Sequence, residues 1–117
     1  MSTPREVAEA FSRHRFREVY PALAPGVVWT AVGARQLVGR QAVVDACEQT
    51  LAALASTTVE FTRFVAVADG ATAAVDTVAR YTDAGGTSVV ASCDVYEFRD
   101  GALVAITSYD VELETPG

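Results

Sequence analysis

Apolar positions recur along this chain with a helical period in its first half and with the two-residue alternation of strands in its second. Thr3, Pro4 and Glu6 form a Thr-x-x-Glu capping box with proline at the first helical position, and Val7, Ala8, Ala10 and Phe11 supply the apolar stripe of the helix that follows. A polar break, Ser12-Arg13-His14-Arg15, leads into a second short helical pattern carried by Phe16, Val19, Tyr20 and Leu23 and ended by Pro25-Gly26. Val27 to Val32 reads as a strand, and Gly33 to Gly39 as a loop. From Gln41 to Ala55 the spacing of Val43, Cys47, Leu51 and Leu54 predicts a third helix. Four strands follow, Thr58–Ala68, Ala71–Thr82, Thr87–Phe98 and Ala102–Leu113, separated by Asp69-Gly70, Asp83-Ala84-Gly85-Gly86 and Arg99-Asp100-Gly101, all favourable hairpin turns.

The predicted class is therefore α+β. Strands of ten or more residues exceed the usual length, so a sheet built from them coils strongly and encloses a cone-shaped interior suited to a small apolar ligand. The 117 residues suit one domain, 1–117, with a single core. Half the residues are hydrophobic and 21% are charged, the balance of a globular protein. A formal charge of −6 argues against a nucleic-acid partner. The apolar runs are too short for a membrane span, and the first residues lack the apolar block of a signal peptide. Cys47 and Cys93 show no short-spaced metal or redox pattern and read as free thiols of a reducing, cytoplasmic setting. One histidine and scattered acids make no metal site, and no glycine-rich phosphate loop is present.

One residue breaks the pattern. Asp94 lies inside Val89-Val90-Ala91-Ser92-Cys93-Asp94-Val95-Tyr96-Glu97-Phe98, and alternation puts it on one face with Val90, Ser92, Tyr96 and Phe98. A carboxylate on such a face must pair, bind a ligand or take up a proton. Asp110, on the last strand, is the second candidate acid. Were Asp100-Gly101 alone a two-residue turn, Asp94 would face Thr107 and Asp110 would lie on the other side. With Arg99-Asp100-Gly101 as a three-residue loop, Asp94 faces Ile106, and Val104, Ile106, Ser108 and Asp110 join its face. This register is preferred because it sets apolar residues beside Tyr96 and Phe98. It separates the acids by about 13 Å.

Other residues carry weaker signals. Asp76 lies in an apolar strand with its face undecided, and an epoxide-opening site would need it in the cavity with Asp94. His14 reads as an exposed turn residue, and Arg35 and Arg40 as members of a solvated loop. Tyr109 points away from the Asp94 face.

The order of elements resembles the nuclear-transport-factor-2-like (NTF2-like, cystatin-like) α+β roll, a curved, mainly antiparallel sheet wrapped around three helices. Within it, Val27-Val28-Trp29-Thr30, Gly33, Gly39-Arg40-Gln41-Ala42-Val43, Asp94 to Gly101 and Ile106-Thr107-Ser108-Tyr109-Asp110 resemble the SnoaL-like polyketide cyclases and the ketosteroid isomerases. The resemblance implies a cofactor-independent, acid–base enzyme acting on a small hydrophobic carbonyl compound, of isomerase, polyketide cyclase or dehydratase type, and a homodimer. It implies that Asp94 is a protonated hydrogen-bond donor to an enolate oxygen and Asp110 the proton-transferring group. Tyr96, Trp29, Phe98, Ile106 and Thr30 would line the pocket. Two departures stand out: the isomerase base position holds Thr30, and the first helix has no tyrosine. The same fold also serves as a ligand-binding or dimerisation module, and its limonene-epoxide-hydrolase branch uses a last-strand aspartate that Asp110 could match.

Overall fold

The computed structural model describes residues 2–114. Helix α1, Pro4–Ser12, opens with the expected capping box: Glu6 N–H donates to Thr3 Oγ1 at 3.1 Å, and Thr3 N–H donates to Glu6 Oε1 at 2.9 Å. The second helical segment is realised as two single turns of 3-10 helix, Phe16–Glu18 and Tyr20–Ala22. Pro21 lacks the N–H that would carry an α-helix through this point. Leu23 belongs to the next strand instead, β1, Leu23–Ala31, whose pairing shifts between Leu23 and Val28, around Pro25-Gly26.

The stretch read as a loop contains β2, Arg35–Val38, which forms a hairpin with β1. Helix α2, Arg40–Ala53, buries Val43, Ala46 and Cys47 against the sheet. Four long strands complete the chain: β3, Thr58–Asp69; β4, Thr72–Asp83; β5, Gly86–Arg99; and β6, Ala102–Leu113. They form one six-stranded sheet in the order β2-β1-β6-β5-β4-β3. All neighbours are antiparallel except β1 and β6. The α+β roll expected from the sequence is thus present, with three helical segments held by a curved sheet.

Two bulges shape the face that meets the helices. In β3, Phe61 pairs with Ala79 and Arg63 with Val78, leaving Thr62 as the extra residue. Phe61 and Phe64 consequently share the inner face, 5.6 Å apart edge to face. In β6, Phe98 pairs with Leu103 but Glu97 with Ala105, so Val104 is extra. A bulge of this kind bends the strand and raises its twist. The core beneath is formed by Val7, Ala8 and Phe11 of α1 with Val27, Val75, Tyr96, Leu103 and Ile106 of the sheet. Among the described residues no helix is long and apolar enough to cross a membrane.

Candidate active site

The hairpin between β5 and β6 determines where the two acids meet. Asp100 and Gly101 both have positive φ, 51° and 81°, as a two-residue type I′ turn requires. Taken alone, that turn would send Asp110 to the opposite face. The Val104 bulge adds one residue and reverses the parity, so Ile106, Ser108 and Asp110 do lie on the Asp94 face. The expected pairing of Asp94 with Ile106 is replaced: Asp94 faces Ser108, Tyr96 faces Ile106 and Ser92 faces Asp110. Leu103 takes the inward place expected of Val104 and is fully buried. The acids stand on diagonal positions about 7–8 Å apart at the backbone, closer than the three-residue loop implied.

Between this face and the helices lies a cavity of about 210 Å3. Its apolar walls are Phe11, Phe16, Trp29 and Phe61, and its polar lining includes Ser12, His14, Thr77, Tyr81, Ser92, Asp94, Ser108 and Asp110. Trp29 packs edge to face on Phe11 with ring centroids 5.1 Å apart.

Asp94 is enclosed by protein except where it opens on the cavity. Ser12 Oγ donates to its Oδ2 at 2.9 Å. Ser12 Oγ lies 2.6 Å from the Tyr96 hydroxyl, which then donates to it, since the one serine proton is committed to Asp94. On the other side, Trp29 Nε1–H donates to Ser108 Oγ at 3.0 Å, leaving the Ser108 proton for the Asp94 carboxylate. Two hydroxyls, each fed by a donor behind it, thus point at one carboxylate. Burial pushes the Asp94 pKa up, and the hydrogen bonds from Ser108 and Ser12 oppose this without cancelling it, while the Asp110 charge adds to the rise. Such a carboxylate gains and loses a proton more readily at physiological pH than an ordinary one.

The remaining residues fall differently from expectation. Of the residues expected to line the pocket, Trp29 does so. Tyr96, Phe98 and Ile106 are buried in the core under the cavity floor, although the Tyr96 hydroxyl reaches the Asp94 network. Thr30 alternates with Trp29 and so lies on the opposite face, where its Oγ1 accepts a hydrogen bond from Gln36 Nε2 at 3.1 Å. Asp76 pairs with Cys93 on that same outer face and is bound by Arg63 at 2.9 Å, away from the cavity. Asp110 lines the cavity but is exposed at its rim.

His14 is not an exposed turn residue. It is half-buried in the cavity wall, in the left-handed region with φ 65°, and burial lowers its pKa. Its Nε2 lies 3.4 Å from the Tyr81 hydroxyl. Ser12 is a site residue that the sequence pattern did not single out, although it continues the buried stripe of Val7, Ala8 and Phe11 one position further and breaks its apolar character, as Asp94 does on β5. Ser108 carries the same signal beside Ile106. Tyr81 and Thr77 had none, because only the β4 pairing turns them inward.

The fold and cavity define an α+β roll with a carboxylate facing an aromatic-walled cavity. The SnoaL-like domain family matches residues 5–106, and the chain belongs to that family. Solved structures agree on the NTF2-like architecture. An NTF2-like protein of unknown function from Cytophaga hutchinsonii is 25% identical over 90% of this chain and 93% of its own, with a TM-score of 0.78. A candidate polyketide cyclase from Xanthomonas campestris is 21% identical over 92% of each chain, with a TM-score of 0.70. A candidate ketosteroid isomerase from Kribbella flavida is 20% identical over 97% of this chain and 82% of its own, with a TM-score of 0.68. No curated protein matches the chain.

Proposed function

We propose that this chain is a cofactor-independent enzyme that moves a proton on a small hydrophobic carbonyl compound, in an isomerisation, aldol-type cyclisation or dehydration. The observation that carries the reading is the Asp94 carboxylate, opening on an aromatic-walled cavity with two hydroxyl donors on its protein side. In its charged form it takes the proton from a carbon next to the substrate carbonyl. The C–H electron pair becomes the enolate double bond, charge develops on the carbonyl oxygen, and protonated Asp94 returns the proton at a second atom. The resemblance assigned proton transfer to Asp110 and hydrogen-bond donation to Asp94. The burial gradient supports the reverse for the proton, with exposed Asp110 facing the solvent end of the ligand.

The cavity, about 210 Å3, is below the usual range of about 300–1,000 Å3 for ligand pockets, which supports a compact ligand smaller than a fused four-ring steroid. Epoxide opening finds less support, because Asp76 lies on the outer face. The free thiols Cys47 and Cys93 fit a reducing, cytoplasmic setting.

The test works with a panel of simple compounds in place of the natural substrate. Small cyclic ketones and enones are incubated with the protein in D2O, and loss of the α-proton signal is followed by NMR. Wild type accelerates exchange for at least one compound, and Asp94→Asn abolishes most of that acceleration. Exchange unaffected by Asp94→Asn removes the proposal. Absence of any acceleration, with Asp94 titrating in the ordinary carboxylate range, would favour a ligand-binding module instead.

We further propose a homodimer through the outer sheet face. Val111, about 60% exposed, lies there with Tyr109 and Leu113 along β6, and Val65 and Val67 are exposed along β3 beyond the Arg63–Asp76 pair, apolar stretches that a second copy would cover.

A further inference from the structure

His14 and Tyr81 are brought together by tertiary structure alone, one from the turn after α1 and the other from the inner face of β4. Both line the Asp94 cavity. We infer that Tyr81 donates the hydrogen bond that receives the substrate's carbonyl oxygen while His14 holds the phenol in place, so that the ligand is a compact carbonyl compound lying between Tyr81 and Asp94. This inference rests on the proton-transfer reading of Asp94.

Three observations converge on it. The first is placement: His14 is the left-handed residue that closes α1, its N–H donating to Phe11 O at 3.0 Å and the Arg15 N–H to Ala10 O at 2.9 Å, and this helix end sets its ring in the cavity wall. The second is the setting of the ring. The imidazole is packed between Phe16, Phe61 and Tyr81, with ring centroids 5.6 to 5.9 Å away, and it is aimed at the cavity rather than at solvent. The third is hydrogen-bond accounting. Among the described residues, His14 Nε2 is the one side-chain partner of the Tyr81 hydroxyl, at a loose 3.4 Å. With the proton on Nε2, the neutral imidazole donates to Tyr81 Oη, and the phenolic O–H is left without a protein acceptor.

In that tautomer the O–H is free to reach into the same cavity as the group that generates the enolate. Burial raises the Tyr81 pKa, and the charges of Asp110 and Asp94 raise it further, so the phenol keeps its proton and serves as donor. A donor already positioned where negative charge develops is the usual means of stabilising an enolate. The arrangement divides the site into an Asp94 side that handles the proton and a Tyr81 side that receives the oxygen. The aromatic rings of Phe11, Phe16 and Trp29 hold the carbon skeleton between them.

The test uses 4-nitrophenol, an enolate mimic of suitable size whose absorbance distinguishes its neutral and ionised forms. Wild type binds it, and the Tyr81 donor keeps the bound probe more ionised than burial and the two carboxylates alone would. Tyr81→Phe, which keeps the shape of the side chain, weakens binding of the ionised probe about tenfold and raises the pKa of the bound probe above its wild-type value. Asp94→Asn strengthens binding of the same anion, because it removes a like charge from the cavity. His14→Gly, which suits the left-handed backbone but deletes the ring, gives about a threefold loss and a smaller rise in the pKa of the bound probe. Wild-type affinity in Tyr81→Phe, with Asp94→Asn still altering it, overturns the role of Tyr81 and leaves the Asp94 reading intact. Unaltered binding in both variants overturns both. No binding by wild type at millimolar probe overturns the oxygen site, and unaltered binding and ionisation in His14→Gly overturns the positioning role of His14.

Discussion

Asp94 faces Ser108 across the β5–β6 pair, and Asp110 faces Ser92 one pleat further along. One extra residue, Val104, creates that relationship. Without its bulge, the two-residue Asp100-Gly101 turn would point Asp110 away from the cavity and bring Thr107 against Asp94. The acids are nevertheless unequal partners. Asp94 is enclosed and hydrogen-bonded by Ser12, whereas Asp110 is exposed at the rim.

That inequality predicts unequal mutational effects. On any carbonyl compound for which wild type accelerates α-proton exchange, Asp94→Asn should slow exchange by about 10²–10⁴-fold, the range for loss of a positioned base. Asp110→Asn should cost less than about tenfold, as expected of a solvent-side contact. Initial rates in D2O give both numbers, and a larger loss for Asp110→Asn would restore the opposite assignment.

Asp94 also makes stability depend on pH. Its folded-state pKa lies above the unfolded value of about 3.9, so between the two the folded chain binds more protons than the unfolded one. Stability therefore falls as pH rises through that window, and the loss is complete above the folded-state pKa. Asp94→Asn removes this dependence. Calorimetry should show its Tm change relative to wild type to be more favourable at pH 7 than at pH 4, and an equal change at both pH values would contradict the raised pKa.

His14 has the opposite dependence. It is the one histidine of the chain, so its imidazole resonances titrate without overlap from another. Burial sets its folded-state midpoint below the ordinary value of about 6.5. On acidification the unfolded chain takes up this proton first, so stability is lost as pH falls from about 6.5 through the folded-state midpoint. NMR titration reads the midpoint directly. A value at or above 6.5 would mean that the ring is solvated and not part of the cavity wall.

The turn that starts β6 depends on Gly101. No atom lies within 4 Å of an added β-carbon there, so the cost of Gly101→Ala comes from φ 81° alone. Destabilisation of about 1 kcal/mol, or about 5 °C in Tm, is expected. Gly26→Ala, also in open space but without a positive φ, serves as the comparison and should change Tm less.

The outer face gives a prediction about assembly. Val111→Lys places a charge between exposed Tyr109 and Leu113 on the outer face of β6. If that face joins two copies, sedimentation should show a dimer for wild type and a shift toward monomer for the variant, with the circular dichroism spectrum unchanged. A wild-type monomer would refute the dimer.

Much of the architecture followed from local pattern. The capping box at Thr3, the apolar stripe of α1, the helical spacing around Val43 and Cys47, and the four long alternating strands all match the observed elements to within a few residues. Each depends on neighbours in the chain, where backbone geometry and side-chain period dominate. Local pattern failed where one residue disrupted it, as at Pro21, which reduces the second helix to single 3-10 turns.

The site was less accessible to such reasoning. Asp94 and Ser12 each interrupt an apolar run, and that interruption is a signal within one element. Tyr81, Thr77 and His14 carry no such mark, because their inward direction depends on pairing with other strands and on a left-handed turn. The sequence by itself determined the two α-helices, β1 and the four long strands in their order, and the anomaly at Asp94. Only the tertiary structure decided which polar groups share the cavity. In a sheet, adding a single residue turns every later side chain to the other face, and a bulge such as Val104 becomes evident only when the strands are paired.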